Sequence, residues 1–252
     1  LFAMNVSEFV SRMQEIRKEY LPKRMKELGL SREIPGVYKE LLQSDEVLEN
    51  AAKLWPTNTA IFDEIGSLTF SELYSEVDSL RTQLVNRGIG SGQAVGMMAK
   101  NGRNFIIGIF AIVGTGACVM PMSHQLKREE VDEQINNGQL SFILDDLSGI
   151  DPFGSSDLIA LENGQIRVAM TDLFSTQFAP HVDQPAFMRF TSGTTGNAKG
   201  VLISQQSAIE RIEGANEELN LGPDDVVVWV LPMAYHFVVS ILLYVRFGAT
   251  IA

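Results

Sequence analysis

Two stretches of the chain can be laid over each other without a gap. One is GIGSGQAVGMMAKNGRNFIIGIFAIVGTGACVM, from Gly88 to Met120; the other is NLGPDDVVVWVLPMAYHFVVSILLYVRFGATIA, from Asn220 to Ala252. The offset is 132 residues throughout: Gly90 falls on Gly222, Val95 on Val227, Gly116 on Gly248 and Ala117 on Ala249. Each copy reads as loop, apolar strand, apolar helix, glycine and apolar strand, the order of a βαβ unit. The strands are apolar along their length, as strands covered on both faces are. Gly116 and Gly248 stand where a helix ends on a left-handed residue. Two such units constrain the chain to an α/β fold with two similar, mostly parallel sheets and packed helices. The second copy stops inside its last expected strand, which reads as a truncated chain.

The remaining patterns agree. LWPTNTAIFDEIGSLTF reads as a short hairpin, and TFSE makes Thr69 and Glu72 a capping box at a helix start. Leu73, Val77, Leu80 and Leu84 carry that helix toward Gly88. AVGMMA, ACVMPM and SFILDD read as strands, and GRNFIIGIFAIVGTG and LKREEVDEQINNG as the helices between them. Residues 147–186 are weakly patterned, with DLIAL and QIRVAM as two short strands. Ahead of all this, residues 5–28 read as a helix with Phe9, Met13, Ile16 and Tyr20 on one face, broken at Pro22. Its basic polar face fits a solvated helix packed on the body or a peripheral membrane contact. The expected division is a helical extension over 1–33 and one α/β body over 34–252.

Composition narrows the function classes. A net charge of −11 over 252 residues argues against nucleic acid, whose phosphates such a surface repels. The single cysteine, Cys118, lies in an apolar run and reads as a buried structural thiol. One cysteine and no signal peptide predict a reducing, cytoplasmic setting, with Met4 as the natural start. The uncharged stretches 104–126 and 226–245 are long enough to span a bilayer, but glycine and proline interrupt both. A buried helix beside a buried strand accounts for each, so no transmembrane segment is expected.

The chemistry concentrates in RFTSGTTGNAKGVLIS, from Arg189 to Ser204. Apolar runs AFMRF and GVLIS flank it, giving strand, loop, strand, and a helix follows from about Ser204. Gly193 and Gly196 permit positive φ, which lets successive N–H groups converge on an anion. Thr191, Ser192, Thr194 and Thr195 add hydroxyl donors, and Lys199 adds a mobile point charge. The set suits a polyphosphate, whereas composition alone would also allow a flexible turn. It is not a Walker-type loop, because Ala198 precedes the lysine, Gly200 follows it and no strand-to-helix junction is present.

FTSGTTGNAKG resembles the phosphate-binding signature of the adenylate-forming enzymes: acyl-CoA synthetases, peptide-synthetase adenylation domains and firefly luciferases. Ala198 stands where proline is usual, which removes a rigid residue but no ligand group. LTFSELYSEVDSLRTQLVNRGIGSGQAVGMMAKN and GTGACVMPMSHQLKREEV resemble the same family in the same order, so the likeness runs from about Trp55 to Ala252. It implies adenylation of a small-molecule carboxylic acid by ATP with Mg²⁺, then thioester formation on coenzyme A or a carrier protein. It implies that Thr191, Ser192, Gly193, Thr194, Thr195, Gly196 and Lys199 hold the β- and γ-phosphates, with Thr194 the hydroxyl touching Mg²⁺.

In LPMAYHFVVS the family carries an aromatic residue or histidine that lines or gates the acyl pocket. Tyr235 falls on the usual position and His236 keeps the common chemistry; a plain residue at a helix start is the other reading of His236. The apolar residues Ile241, Leu242 and Leu243 would suit a fatty or aromatic acid, or simply the core. His124 and His181 read as surface residues, and the three histidines have no metal-site spacing. The family's adenine, ribose and catalytic-lysine motifs lie beyond Ala252 in its C-terminal part, so no catalytic residue is assignable and the chain alone is expected to be inactive. A non-catalytic nucleotide-binding module is the remaining reading.

Overall fold

The structure, a computed structural model, describes residues 44–151, 157–191, 199–238 and 240–252. All of them belong to one unit, Leu42–Ala252. The helix expected over 5–28 and the extension over 1–33 lie outside the described residues.

The unit opens with helix α1 (Ser44–Leu54) and a hairpin of β1 (Thr59–Asp63) and β2 (Gly66–Thr69). Helix α2 (Phe70–Val85) follows at once, because Thr69 caps it: its hydroxyl accepts the Glu72 N–H, while the Glu72 carboxylate accepts the Thr69 N–H at 2.8 Å. Then come β3 (Ala94–Ala99), α3 (Arg103–Gly114), β4 (Cys118–Ser123), α4 (Arg128–Gly138) and β5 (Phe142–Asp145). Two hairpins follow, β6 (Asp157–Leu161) with β7 (Gly164–Met170), and β8 (Pro185–Thr191) with β9 (Lys199–Ser204). The chain closes with α5 (Gln205–Leu219), β10 (Val226–Val227), the single turn α6 (Met233–His236), α7 (Ile241–Arg246) and β11 (Thr250–Ile251).

The strands form two sheets, as the repeat predicts. The larger has the order β6-β7-β5-β3-β4-β8-β9 and the smaller β10-β11-β1-β2. In the larger, β5, β3, β4 and β8 run parallel, with helical crossovers from β3 to β4 and from β4 to β5, and antiparallel strands at both margins. The sheets are therefore mixed, with their parallel ladders where the βαβ units lie. The two repeat ladders share a register: Ala94 pairs with Cys118, and Val226 with Thr250 at the same 132-residue offset. Gly116 and Gly248 both end helices at positive φ, +83° and +79°. A Cβ at Gly248 would come within 2.6 Å of the Trp55 ring, so packing as well as backbone demands glycine there.

The second copy departs from the first. Its strand is only two residues long, and its helix is split into α6 and α7. β10 is an edge strand; its Val226 is exposed, as are Val228 and Val230 just beyond it. Pro232 precedes α6 and lacks the N–H that a longer helix would need there.

Alternation along the strands sorts the core. Val95, Met97, Ala99, Val119, Phe142, Leu144 and Phe187 join α1, α2, α3, α5 and α7 in the main core. Ala94, Met98, Cys118, Met120, Met122, Ile143 and Met188 point the other way, under α4. Helix α3 is buried from Phe105 to Val113, which accounts for its apolar run without a membrane. No described helix is long and apolar enough to cross one.

Candidate functional site

The parallel strands β3, β4 and β8 bring their carboxyl ends, Ala99, Ser123 and Thr191, to one edge of the large sheet. After β3 the chain turns into α3 on the main-core face; after β4 it turns into α4 on the opposite face. The connections diverge between β3 and β4, and such a divergence opens a crevice at the carboxyl edge of an α/β sheet.

The phosphate-loop candidate springs from this edge. Thr191 and Lys199 stand opposite each other as the last pair of the β8–β9 ladder, below Phe190 and Gly200. The Phe190 ring lies over Gly200, where a Cβ would come within 3.1 Å of it. The hairpin thus holds both ends of the loop together. Ser192, Gly193, Thr194, Thr195 and Gly196 lie outside the described residues.

Tyr235 and His236 lie on α6, which packs on β4. Asn101, just past β3, donates to the Leu231 carbonyl at 2.7 Å and accepts the Met233 N–H at 2.9 Å. At the other end of the turn, Arg189 of β8 donates to the Tyr235 carbonyl at 2.6 Å, its guanidinium 6.0 Å from the Tyr235 ring centre. Tyr235 and His236 are both exposed, and the His236 ring meets the edge of Trp229 at 6.1 Å. Both candidates therefore stand beside the hairpin that carries Thr191 and Lys199. Ile241, Leu242 and Leu243 are buried in the main core. His181 is exposed and His124 half-buried in the turn after β4.

Ion pairs fix the surroundings. Arg103, at the start of α3, holds Asp63 at 2.9 and 2.6 Å and the Gly66 carbonyl at 2.6 Å, locking the first hairpin to that helix. Burial alone would raise the Asp63 pKa, but the bonds from Arg103 and the Ile65 N–H outweigh it and hold the carboxyl below its ordinary value. Arg167 grips buried Asp145 at the end of β5 at 2.8 and 2.9 Å and reaches Asp151 at 2.8 Å. Among the described residues, no three His, Cys, Asp or Glu side chains could together hold a metal.

A family model described as AMP-binding enzyme matches residues 48–252. The chain belongs to the AMP-binding enzyme family. Among similar proteins, gramicidin S synthase 2 of Brevibacillus brevis is 27% identical over 206 residues, covering 81% of this chain and 5% of the relative. The 2-succinylbenzoate–CoA ligase of Bacillus cereus is 28% identical over 196 residues, covering 78% of this chain and 40% of the ligase. The crystal structure of CmiS6 shares the fold at TM-score 0.68 and 22% identity, over 83% of this chain and 51% of that one. The N-terminal domain of FACL13 from Mycobacterium tuberculosis does so at TM-score 0.66 and 18% identity, over 83% and 56%. The chain thus spans about half the length of those two solved structures, and less of the two relatives.

Sequence reasoning passed over Asn101 and Arg189, although both lie within quoted motifs. Their partners are 130 and 46 residues away, and no local pattern marks such a bond. The one available signal was the repeat, which sets Asn101 on Met233, the residue whose N–H it accepts.

Proposed function

We propose that this AMP-binding chain is part of an enzyme that activates a carboxylic acid with ATP and transfers the acyl group to a thiol. The observation that carries the reading is the hairpin pair Thr191–Lys199 at the carboxyl edge, with Tyr235 and His236 on a turn bonded to the same strand. In this reading the backbone N–H groups and hydroxyls of 191–196 cradle the β- and γ-phosphates. Lys199 offsets their charge as the carboxylate attacks the α-phosphate and pyrophosphate departs. Tyr235 and His236 border the acid. A carboxylate is already a nucleophile, so no general base is assigned.

Magnesium, when bound, would shield the phosphate oxygens, with the Thr194 hydroxyl as the chain's own ligand. Such an ion takes most of its ligands from phosphate and water, so the missing carboxylate cluster among the described residues does not oppose it.

Two acceptors divide the reading. Coenzyme A is proposed first, and the likeness to 2-succinylbenzoate–CoA ligase supports it. The likeness to gramicidin S synthase 2 favours a carrier protein as the alternative. The deciding experiment is ATP–pyrophosphate exchange by the full-length enzyme across aliphatic, aromatic and amino acids, followed by thioester analysis. Exchange that depends on an acid supports adenylation, and acyl-CoA as product supports the first acceptor. Thioester formed only on a carrier protein supports the second. No exchange with any acid overturns adenylation and leaves a nucleotide-binding module.

A further inference from the structure

Turn α6 is one turn long and cannot hold its own place; a helix so short has almost no internal hydrogen bonding. Beyond the burial of Met233 and Ala234 in the core, two side chains hold it from outside. At its start, the Asn101 side chain makes a two-way bond to the backbone, giving a proton to the Leu231 carbonyl and taking one from the Met233 N–H. At its end, Arg189 binds the Tyr235 carbonyl and lies by that residue's ring. The two holders, Asn101 just past β3 and Arg189 on β8, flank β4, against which α6 packs. Arg189 is also two residues before Thr191 on β8, so the strand that ends at the phosphate-loop candidate also holds the turn.

We infer that Asn101 and Arg189 are positioning residues, a two-point clamp that sets Tyr235 and His236 beside the β8–β9 hairpin and so determines how the acid is held. The inference rests on the acid-activating function proposed above. Neither residue needs to touch ATP or the acid. Asn101 fixes where the turn begins; Arg189 ties its end to the strand that carries Thr191. Loss of either bond lets the turn shift across the crevice, which changes the acid's site before the grip on the phosphates.

The test compares Arg189→Met, Arg189→Lys and Asn101→Ala in the full-length enzyme, using whichever of octanoate, benzoate and L-phenylalanine supports the fastest wild-type ATP–pyrophosphate exchange. Arg189→Met and Asn101→Ala should raise KM for the acid by about tenfold, the scale of one charge-assisted hydrogen bond for Arg189 and of two neutral ones for Asn101, with KM for ATP shifting about twofold at most. Arg189→Lys should recover part of the loss, since it keeps the charge but not the fork. Equal shifts for acid and ATP, or no shift in either, overturn the clamp.

A second readout needs no turnover. Trp229 touches His236, so in a full-length background with every tryptophan but Trp229 replaced by phenylalanine, acrylamide quenching of Trp229 reports the turn directly. Arg189→Met should raise the quenching constant by about twofold while the circular dichroism spectrum is retained; an unchanged constant overturns the clamp. If no acid supports exchange, adenylation fails and this quenching result still decides the clamp.

Discussion

Glu76 shows what a single misplaced charge does in this fold. It lies on the buried face of α2 beside Val77, and its Oε1 has no hydrogen-bond partner. Burial pushes its pKa above the ordinary glutamate value, Glu162 adds to the shift, and Arg103 opposes it. The folded chain thus holds the protonated acid more readily than the unfolded chain does. Ionised Glu76 costs stability; the cost is absent below the unfolded value of about 4.3 and grows as pH rises through the folded value. Glu76→Gln should therefore melt at a higher temperature than wild type at pH 7, and the gap should close below about pH 4. A gap that does not change with pH, measured by thermal unfolding, would contradict this. Cys118 is the simpler case: buried in β4, its thiol is pushed up to about 12, which leaves it neutral and structural as the sequence indicates.

At the scale of elements, local chemistry sets the boundaries wherever a cap or a glycine is present. The Thr69–Glu72 box starts α2, and its bonds from Thr69 hold the Glu72 carboxyl below its ordinary value. Thr69→Ala should lower unfolding free energy by about 1 kcal/mol in urea titration with an unchanged slope; no loss would mean the cap is not what starts the helix. Such signals made the strands, crossovers and hairpins of 59–204 readable from sequence. What was not readable depends on neighbours. The strand expected at VVVWV shrinks to Val226–Val227, because edge pairing, not apolar content, decides how far it extends. The helix after Pro232 breaks into α6 and α7, and Asn101 and Arg189 hold the first piece from distant parts of the chain. Of the candidate site, the strand-flanked setting of the loop was legible from its two apolar runs. The proximity of Tyr235 to strand β8 was not, since it rests on a bond to Arg189 across 46 residues.

Across the whole described unit, two βαβ repeats meet where their helices begin, with Asn101 of one bonded to Met233 of the other. The first repeat supplies the carboxyl edge of the large sheet, and the second lays Tyr235 and His236 across it. The β8–β9 hairpin flanks β4, and Arg189 of β8 bonds the turn that carries Tyr235 and His236, so the proposed phosphate and acid sites share one strand. This arrangement makes the phosphate role of the hairpin the claim on which the rest depends. Calorimetric titration of the full-length enzyme and its Lys199→Ala variant with ATP and with AMP tests it most directly. A charge on the β- and γ-phosphates should be worth about tenfold to a hundredfold in ATP affinity, with AMP binding changed by about twofold at most. Equal weakening of ATP and AMP, or no weakening of ATP, would contradict the assignment of Lys199 to the pyrophosphate end.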